Sequence, residues 1–408
     1  MHILIVSQYF WPENFRINDL SLGLMEKGHQ VTVLTGIPNY PEGRFFPGYG
    51  FFKNNRENYQ GVKVIRVPLI PRGNGGGLRL ALNYISYAFF ASILSPFVCR
   101  GKFDLIFVCQ LSPVMVGLPA LVLKRLKHAP IMFWIQDLWP ESLSATGAIK
   151  SKKALKVVEK LVRFIYSGCD LILVQSRAFS PSIEKEGVDP CRIAYFPNSA
   201  EELYKPVEVE LDAPERSMIP AGFCVMFAGN IGAAQDFETI LSAAEQLKEY
   251  ADIHWVIVGD GRMRPWVEAQ IDERGLTETV HLLGRHPVEL MPRFFSIADV
   301  MLVTLKKEYI FSLTIPSKVQ SYLACAKPII AALDGEGARV IEESGAGVTC
   351  SAENPQALAE AVLKMYRLTE ADLHDIGLRG RRYFEQHFER TVLLERLNNW
   401  IKEFQKGE

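Results

Sequence analysis

The chain reads as two α/β domains, each a parallel sheet covered by helices, and three observations say so. Its 408 residues exceed what one hydrophobic core usually serves, since domains settle at roughly 100–200 residues. Short apolar runs alternate with helical patterns from end to end, as they do when helices cover both faces of parallel sheets. The alternation is interrupted by a polar stretch, Ser199 to Ser217, that contains Pro206 and Pro214. Two Rossmann-like domains built this way face each other across a cleft, and ligands collect at the carboxyl ends of such sheets.

In the first domain, residues 1–198, strands are expected at 2–7, 30–35, 62–67, 104–109, 130–135, 170–174 and 192–196. Helices fall between them at about 14–28, 78–99, 113–127, 152–168 and 176–186. The long loop from Gly36 to Gln60 is rich in Gly, Pro and Tyr, and loops of that length in compact domains are often functional. Residues 199–217 are the expected linker. The second domain, 218–380, restarts with strands near 222–228, 252–258, 278–283, 299–304, 328–332 and 347–350. Its helices lie at about 235–249, 262–274, 287–297, 316–325, 337–344 and 354–367. A helical segment, 381–408, follows, in which Val392, Leu393, Leu397, Trp400, Ile401 and Phe404 recur at helical spacing. It is expected to pack back toward the N-terminal domain.

Hydrophobic residues at 48% and charged residues at 22% are ordinary for a globular protein and exclude a disordered chain. The net charge of -1 hides an asymmetry: residues 1–198 carry 23 Lys/Arg against 13 Asp/Glu, and the remainder 22 against 33. A basic half attracts an anionic partner, such as a phosphorylated lipid or an acidic membrane surface; the alternative is a merely solvated surface. Nothing in the pattern points to nucleic acid. Seven cysteines without a CxxC pair read as buried thiols in a reducing compartment. The apolar strand His2–Ser7 opens the chain with no signal peptide before it, so a cytoplasmic location is expected.

Leu80 to Val98 is aromatic and aliphatic, flanked by Arg79, Arg100 and Lys102 and interrupted by Asn83, Ser86, Ser92, Ser95 and Pro96. A spanning helix wants about 20 predominantly apolar residues, so a buried or interfacial helix is the better reading.

Motifs at strand ends carry the chemistry. The first strand runs into Gln8-Tyr-Phe-Trp-Pro-Glu13-Asn-Phe-Arg16, with no GxGxxG and hence no dinucleotide fingerprint. Glu13 and Arg16 are candidates for binding an acceptor, unless they simply pair with each other. Trp134-Ile-Gln-Asp137-Leu-Trp-Pro-Glu141 follows a later strand. Tryptophans beside carboxylates raise a carboxyl pKa or form a platform for a sugar ring, which makes Asp137 and Glu141 the catalytic candidates against helix capping as the alternative.

The second domain is more specific. Gly229-Asn230-Ile-Gly232 forms a glycine turn before a helix, so backbone N–H groups and the helix dipole are expected to hold a phosphate. Val258-Gly-Asp-Gly-Arg262 and Leu283-Gly-Arg285 repeat the arrangement. Arg262 and Arg285 are candidates to neutralise a diphosphate or are surface charges. Pro316-Ser317-Lys318 begins another helix, where N–H groups, hydroxyl and ammonium together make an anion site; an ordinary cap is the bland alternative.

In this combination the chain resembles family 4 of the retaining glycosyltransferases, over nearly its whole length. Gly28-His29-Gln30-Val-Thr-Val-Leu-Thr35, Val258-Gly-Asp-Gly261, Leu283-Gly-Arg285 and Ala324-Cys-Ala-Lys-Pro328 carry the likeness. Gln8-Tyr-Phe-Trp-Pro-Glu13, Asp137-Leu-Trp-Pro-Glu141, Gly229-Asn-Ile-Gly232 and Pro316-Ser-Lys318 look closest to its WbuB-like fucosamine transferase branch. The resemblance implies the GT-B fold and a UDP-linked sugar donor held in the C-terminal half. It also implies a lipid-linked saccharide acceptor (undecaprenyl diphosphate), bacterial O-antigen or capsule synthesis at the inner membrane face, and no metal or other cofactor. Two departures stand out. The family's two glutamates fall at Leu313 and Ser321, and its diphosphate-holding Arg and Lys at about Asn230 and Gln235. Lys318, Arg262 and Arg285 are the expected substitutes for the lost charge, and the resemblance leaves Ser321 or a neighbour to complete donor binding by bonding the ribose. Two other readings remain open here: a non-hydrolysing UDP-sugar 2-epimerase, and an inactive sugar-nucleotide-binding partner.

Overall fold

The computed structural model describes residues 1–145, 149 and 151–406. They form two compact units, one of Met1–Pro197 with Leu394–Glu408 and one of Asn198–Leu393.

The first unit holds an eight-stranded sheet: β1 His2–Val6, β2 Gln30–Gly36, β3 Arg56–Tyr59, β4 Val62–Val67, β5 Leu105–Gln110, β6 Ile131–Ile135, β7 Leu171–Val174 and β8 Ile193–Tyr195, in the order β3-β4-β2-β1-β5-β6-β7-β8. Every residue of β5 and β6 is buried, as strands covered on both faces must be. The strand order reverses at β1, between β2 and β5, and there the carboxyl ends open a crevice. One strand escapes the sequence pattern. β3 is the polar run Arg-Glu-Asn-Tyr and pairs antiparallel with β4 at the sheet edge. Its sequence signal is the turn: Gln60 and Gly61 take φ 49° and 96°, the left-handed pair of a tight hairpin.

The second unit is a six-stranded parallel sheet: β9 Phe223–Ala228, β10 Ile253–Val258, β11 Val280–Gly284, β12 Val300–Thr304, β13 Ile329–Ala332 and β14 Gly347–Cys350, in the order β11-β10-β9-β12-β13-β14. Successive side chains point to opposite faces, so β9 sends Val225 and Phe227 into one core with Trp255 and Ile240, and Met226 and Ala228 into the other with Phe294 and Tyr322.

Two expected boundaries shift. The stretch 199–217 is part of the second unit rather than a free linker, because Glu215 is buried against Arg293 at 2.9 Å and Tyr204 stacks on Phe295 at 5.8 Å. The segment 381–408 divides at Leu394. Phe384 and Phe388 stay in the second unit's core. From Leu394 the helix Arg390–Lys406 joins the first unit, where Asn398 meets the His29 imidazole at 2.9 Å and Trp400 packs on Phe196. Residues 407–408 lie outside the described residues.

Candidate active site

The second unit encloses a cavity of ≈ 1280 Å³ at the carboxyl ends of its strands. The neighbouring strands β9 and β10 deliver Gly229 and Gly259 there, and β11 ends at Gly284, just before the lining residue Arg285. Gly229 and Gly259 take φ 143° and 147°, outside the range that side-chain-bearing residues favour. A Cβ on Gly259 would strike the Gly229 carbonyl, and one on Gly229 would meet Lys318 Cε at 2.7 Å and Nζ at 3.1 Å. The missing side chains let the lysine lie against the backbone.

Lys318 comes from the first turn of the helix Ser317–Ala324, which lacks a side-chain cap. Its ammonium donates to Gln235 Oε1 at 2.6 Å and stands 3.5 Å from the centroid of the Phe227 ring. Among the described residues no carboxylate pairs with it, and burial pulls its pKa from 10.5 to about 7. Desolvation without a counter-charge has that effect on an amine. The site is therefore short of one anion.

Gly229, Asn230, Arg285, Ser317, Lys318 and Ser321 all line the cavity. Gly232 does not, but stands beside Asn230. Arg262 is exposed and outside the cavity wall, although its neighbour Gly261 lines it. Two N–H groups of the glycine turn are used within the protein: Gly229 N–H donates to Val258 O at 2.8 Å and Gly232 N–H to Asn230 O at 3.0 Å. The helix Ser317–Ala324, which has no side-chain cap, opens at the cavity through Ser317 and Lys318. Sequence reasoning missed Tyr204, Asp260 and His286, which also line the cavity. The Tyr204 signal was an aromatic residue inside a polar stretch.

In the first unit, Asp137 follows β6. Its Oδ2 accepts the Trp139 indole N–H at 2.9 Å and its backbone oxygen accepts from Gln110 at 2.6 Å. Glu141 opens the short helix Glu141–Ala145 with Oε2 buried and unpartnered among the described residues. Both carboxylates act on the fully buried Tyr166 hydroxyl, whose pKa is raised first by burial, then by Glu141 and more weakly by Asp137. Glu13 is buried, and its Oε1 accepts the N–H groups of Asn39 at 2.8 Å and Tyr40 at 2.7 Å. It thus braces the start of the loop after β2. Burial pushes its pKa up to about 7 against those N–H groups. Arg16 begins the helix Arg16–Glu26, half-buried. Among the described residues no group of three or more His, Cys, Asp or Glu gathers where a metal could bind.

Two α/β units on largely parallel sheets give the chain the GT-B fold of solved glycosyltransferases. The chain belongs to the glycosyltransferase family: residues 222–367 match the model for "Glycosyl transferases group 1" and residues 14–199 that for "Glycosyl transferase 4-like domain". It is 31% identical to "Probable glycosyltransferase WbjE" of Pseudomonas aeruginosa, over 68% of this chain and 71% of that protein. It is 25% identical to "Putative colanic acid biosynthesis glycosyl transferase WcaI" of Escherichia coli, over 79% of this chain and 81% of the relative. HepE of Anabaena, solved in complex with UDP, superposes with a TM-score of 0.69 at 13% identity, covering 99% of this chain and 100% of that one.

Proposed function

We propose that the chain transfers a sugar, with retention of anomeric configuration, from a UDP-sugar bound in the second unit's cavity to a lipid-linked saccharide during bacterial surface-polysaccharide synthesis. The observation that carries this reading is the Lys318 ammonium, half-buried at the cavity wall with an amide oxygen and an aromatic ring as its neighbours and, among the described residues, no carboxylate paired with it. A diphosphate supplies the missing charge. The cavity exceeds the roughly 300–1,000 Å³ of a usual ligand site, which suits an extended donor. Likeness of the fold to a protein solved with UDP supports a uridine nucleotide, and WcaI's name places that relative in polysaccharide synthesis. The WbuB-like motifs make N-acetyl-L-fucosamine the first sugar to try.

The acceptor hydroxyl attacks the anomeric carbon from the face the diphosphate leaves, and the departing phosphate oxygen takes the hydroxyl proton. Negative charge then grows on the leaving group, where Lys318, Arg285 and the N–H groups at the start of Ser317–Ala324 stabilise it. Asp137 and Glu141 orient the acceptor or steady positive charge on the ring. Glu13 positions the loop it braces.

The test is transfer from a panel of UDP-sugars to a lipid-diphosphate saccharide, with NMR of product and donor. An acceptor-dependent product with retained configuration is expected. Epimerisation of donor alone, or donor binding with no product across the panel, would overturn the reading.

A further inference from the structure

The helix Gly77–Val98 is inside out for the surface of a water-soluble domain. Its inward face is polar and tied to the first unit. Asn83 Nδ2 donates to Ile70 O at 2.6 Å, Gln8 donates to Asn83 Oδ1 at 2.7 Å, Ser86 Oγ accepts the Ile70 N–H at 2.8 Å, and the Tyr87 hydroxyl donates to Ser7 O at 3.2 Å. Its outward face is apolar: Leu78, Leu82, Ile85, Phe89, Ile93 and Phe97 are exposed at 79, 38, 53, 57, 49 and 70%. Steps of four, three, four, four and four residues put them in one stripe, about 30 Å long at 1.5 Å per residue. A surface helix in water shows the reverse arrangement, and a contiguous apolar patch of this kind marks a contact.

Charge identifies the contact. The helix contains Arg79 and no acidic residue. Its C-terminal end is followed by Arg100 and Lys102, and Lys127 reaches the Gly101 carbonyl at 3.1 Å. Arg56, Lys63 and Lys127 all act electrostatically on the Cys99 thiol at that end. The nearby Asp104 carboxylate is held by the His2 N–H at 2.7 Å. A twofold-related copy of the same face would set these cations against one another. An anionic lipid surface attracts them, and each cation near it adds to binding.

We propose that this face seats the protein on a bilayer containing anionic phospholipid, with the helix lying in the plane of the interface and its stripe immersed among the lipids. The polar inward face, bonded to the body of the unit, rules out a spanning arrangement, because a span would strand Asn83 and Ser86 in hydrocarbon. The aromatic and aliphatic stripe supplies apolar burial and the rim supplies attraction, a pairing that gives reversible attachment. Resting on the transfer reading above, attachment to the inner face of the cell membrane places the first unit where a lipid-linked acceptor is presented.

The test uses the full chain in co-sedimentation with vesicles of phosphatidylcholine alone or mixed with phosphatidylglycerol, at low and high salt. Binding to the mixed vesicles at low salt, with most of it released at high salt, is expected. The double variant Phe89→Glu/Phe97→Glu should bind about tenfold or more weakly, with unchanged UDP affinity and melting temperature. Phe97→Gln alone is the second variant, to be used if the double one unfolds early. Wild-type protein that ignores the mixed vesicles at low salt, or variants that bind them as well as wild type, would overturn the proposal. So would a wild-type dimer broken by the variants without vesicle binding, which would assign the stripe to a second copy. Because neither vesicle binding nor UDP affinity requires turnover, failure here is distinct from failure of the transfer reading.

Discussion

The Lys318 ammonium, from the first turn of the helix Ser317–Ala324, lies 2.6 Å from the side-chain oxygen of Gln235. Burial of that cation without a carboxylate beside it has measurable consequences.

Donor affinity should depend on pH with a definite sign. Free Lys318 titrates at about 7, and a bound diphosphate raises that value. A UDP-sugar has no ionisation of its own near neutrality. Affinity should therefore be flat below pH 7 and fall by up to about tenfold per unit above it, as the free protein must first take up a proton. Titration calorimetry in two buffers of different ionisation heat checks this, since proton uptake above pH 7 appears as a buffer-dependent enthalpy.

Gly229→Ala should impair binding by displacing Lys318. The new methyl would need φ 143° and would press on Lys318 Cε and Nζ. Stability should drop by about 1–3 kcal/mol from the backbone alone, and UDP affinity should fall with the lysine displaced. Equal affinity in a folded variant would show that the lysine's placement is immaterial.

Glu13 gives a test in the first unit. Its folded pKa of about 7 lies above the 4.5 of an ordinary glutamate, so between those values the folded state binds more protons than the unfolded one. Its contribution to stability is present below pH 4.5 and is lost as pH rises to 7. Glu13→Gln should remove that part of the slope in urea denaturation measured across pH 5 to about 8. Identical slopes would mean that the carboxyl is ionised throughout.

Asp137→Asn should lower turnover and leave UDP affinity alone. Asparagine retains an oxygen for the Trp139 indole N–H, which now meets Asp137 Oδ2, so melting should shift by no more than about 2–4 °C. Turnover equal to wild type would return Asp137 to a structural role beside Trp139.

Much of this fold was legible because buried parallel strands such as Leu105–Gln110 and Ile131–Ile135 are continuous apolar runs. Arg56–Tyr59 was not, because an edge strand half in water has no apolar signature and only its Gln60-Gly61 turn betrays it. In the site, Lys318 and Ser317 were legible from a helix start beside a proline. The stacking of Tyr204 on Phe295 and the bond from Gly229 N–H to Val258 O were not, since both join segments far apart in sequence. Glu13 was visible as a residue of interest, but its partners, Asn39 and Tyr40, lie beyond the following helix and strand.

The central claim, that Lys318 supplies the charge that holds the donor diphosphate, is tested most directly by titrating UDP into wild type and Lys318→Ala at pH 6.5, where the free lysine is largely protonated by its pKa of about 7. A charge-assisted contact contributes about 1.5–3 kcal/mol, so the variant should bind UDP about 10- to 150-fold more weakly. Uridine, which lacks the diphosphate, should bind both proteins equally. UDP affinity unchanged in a variant that melts like wild type would contradict the account.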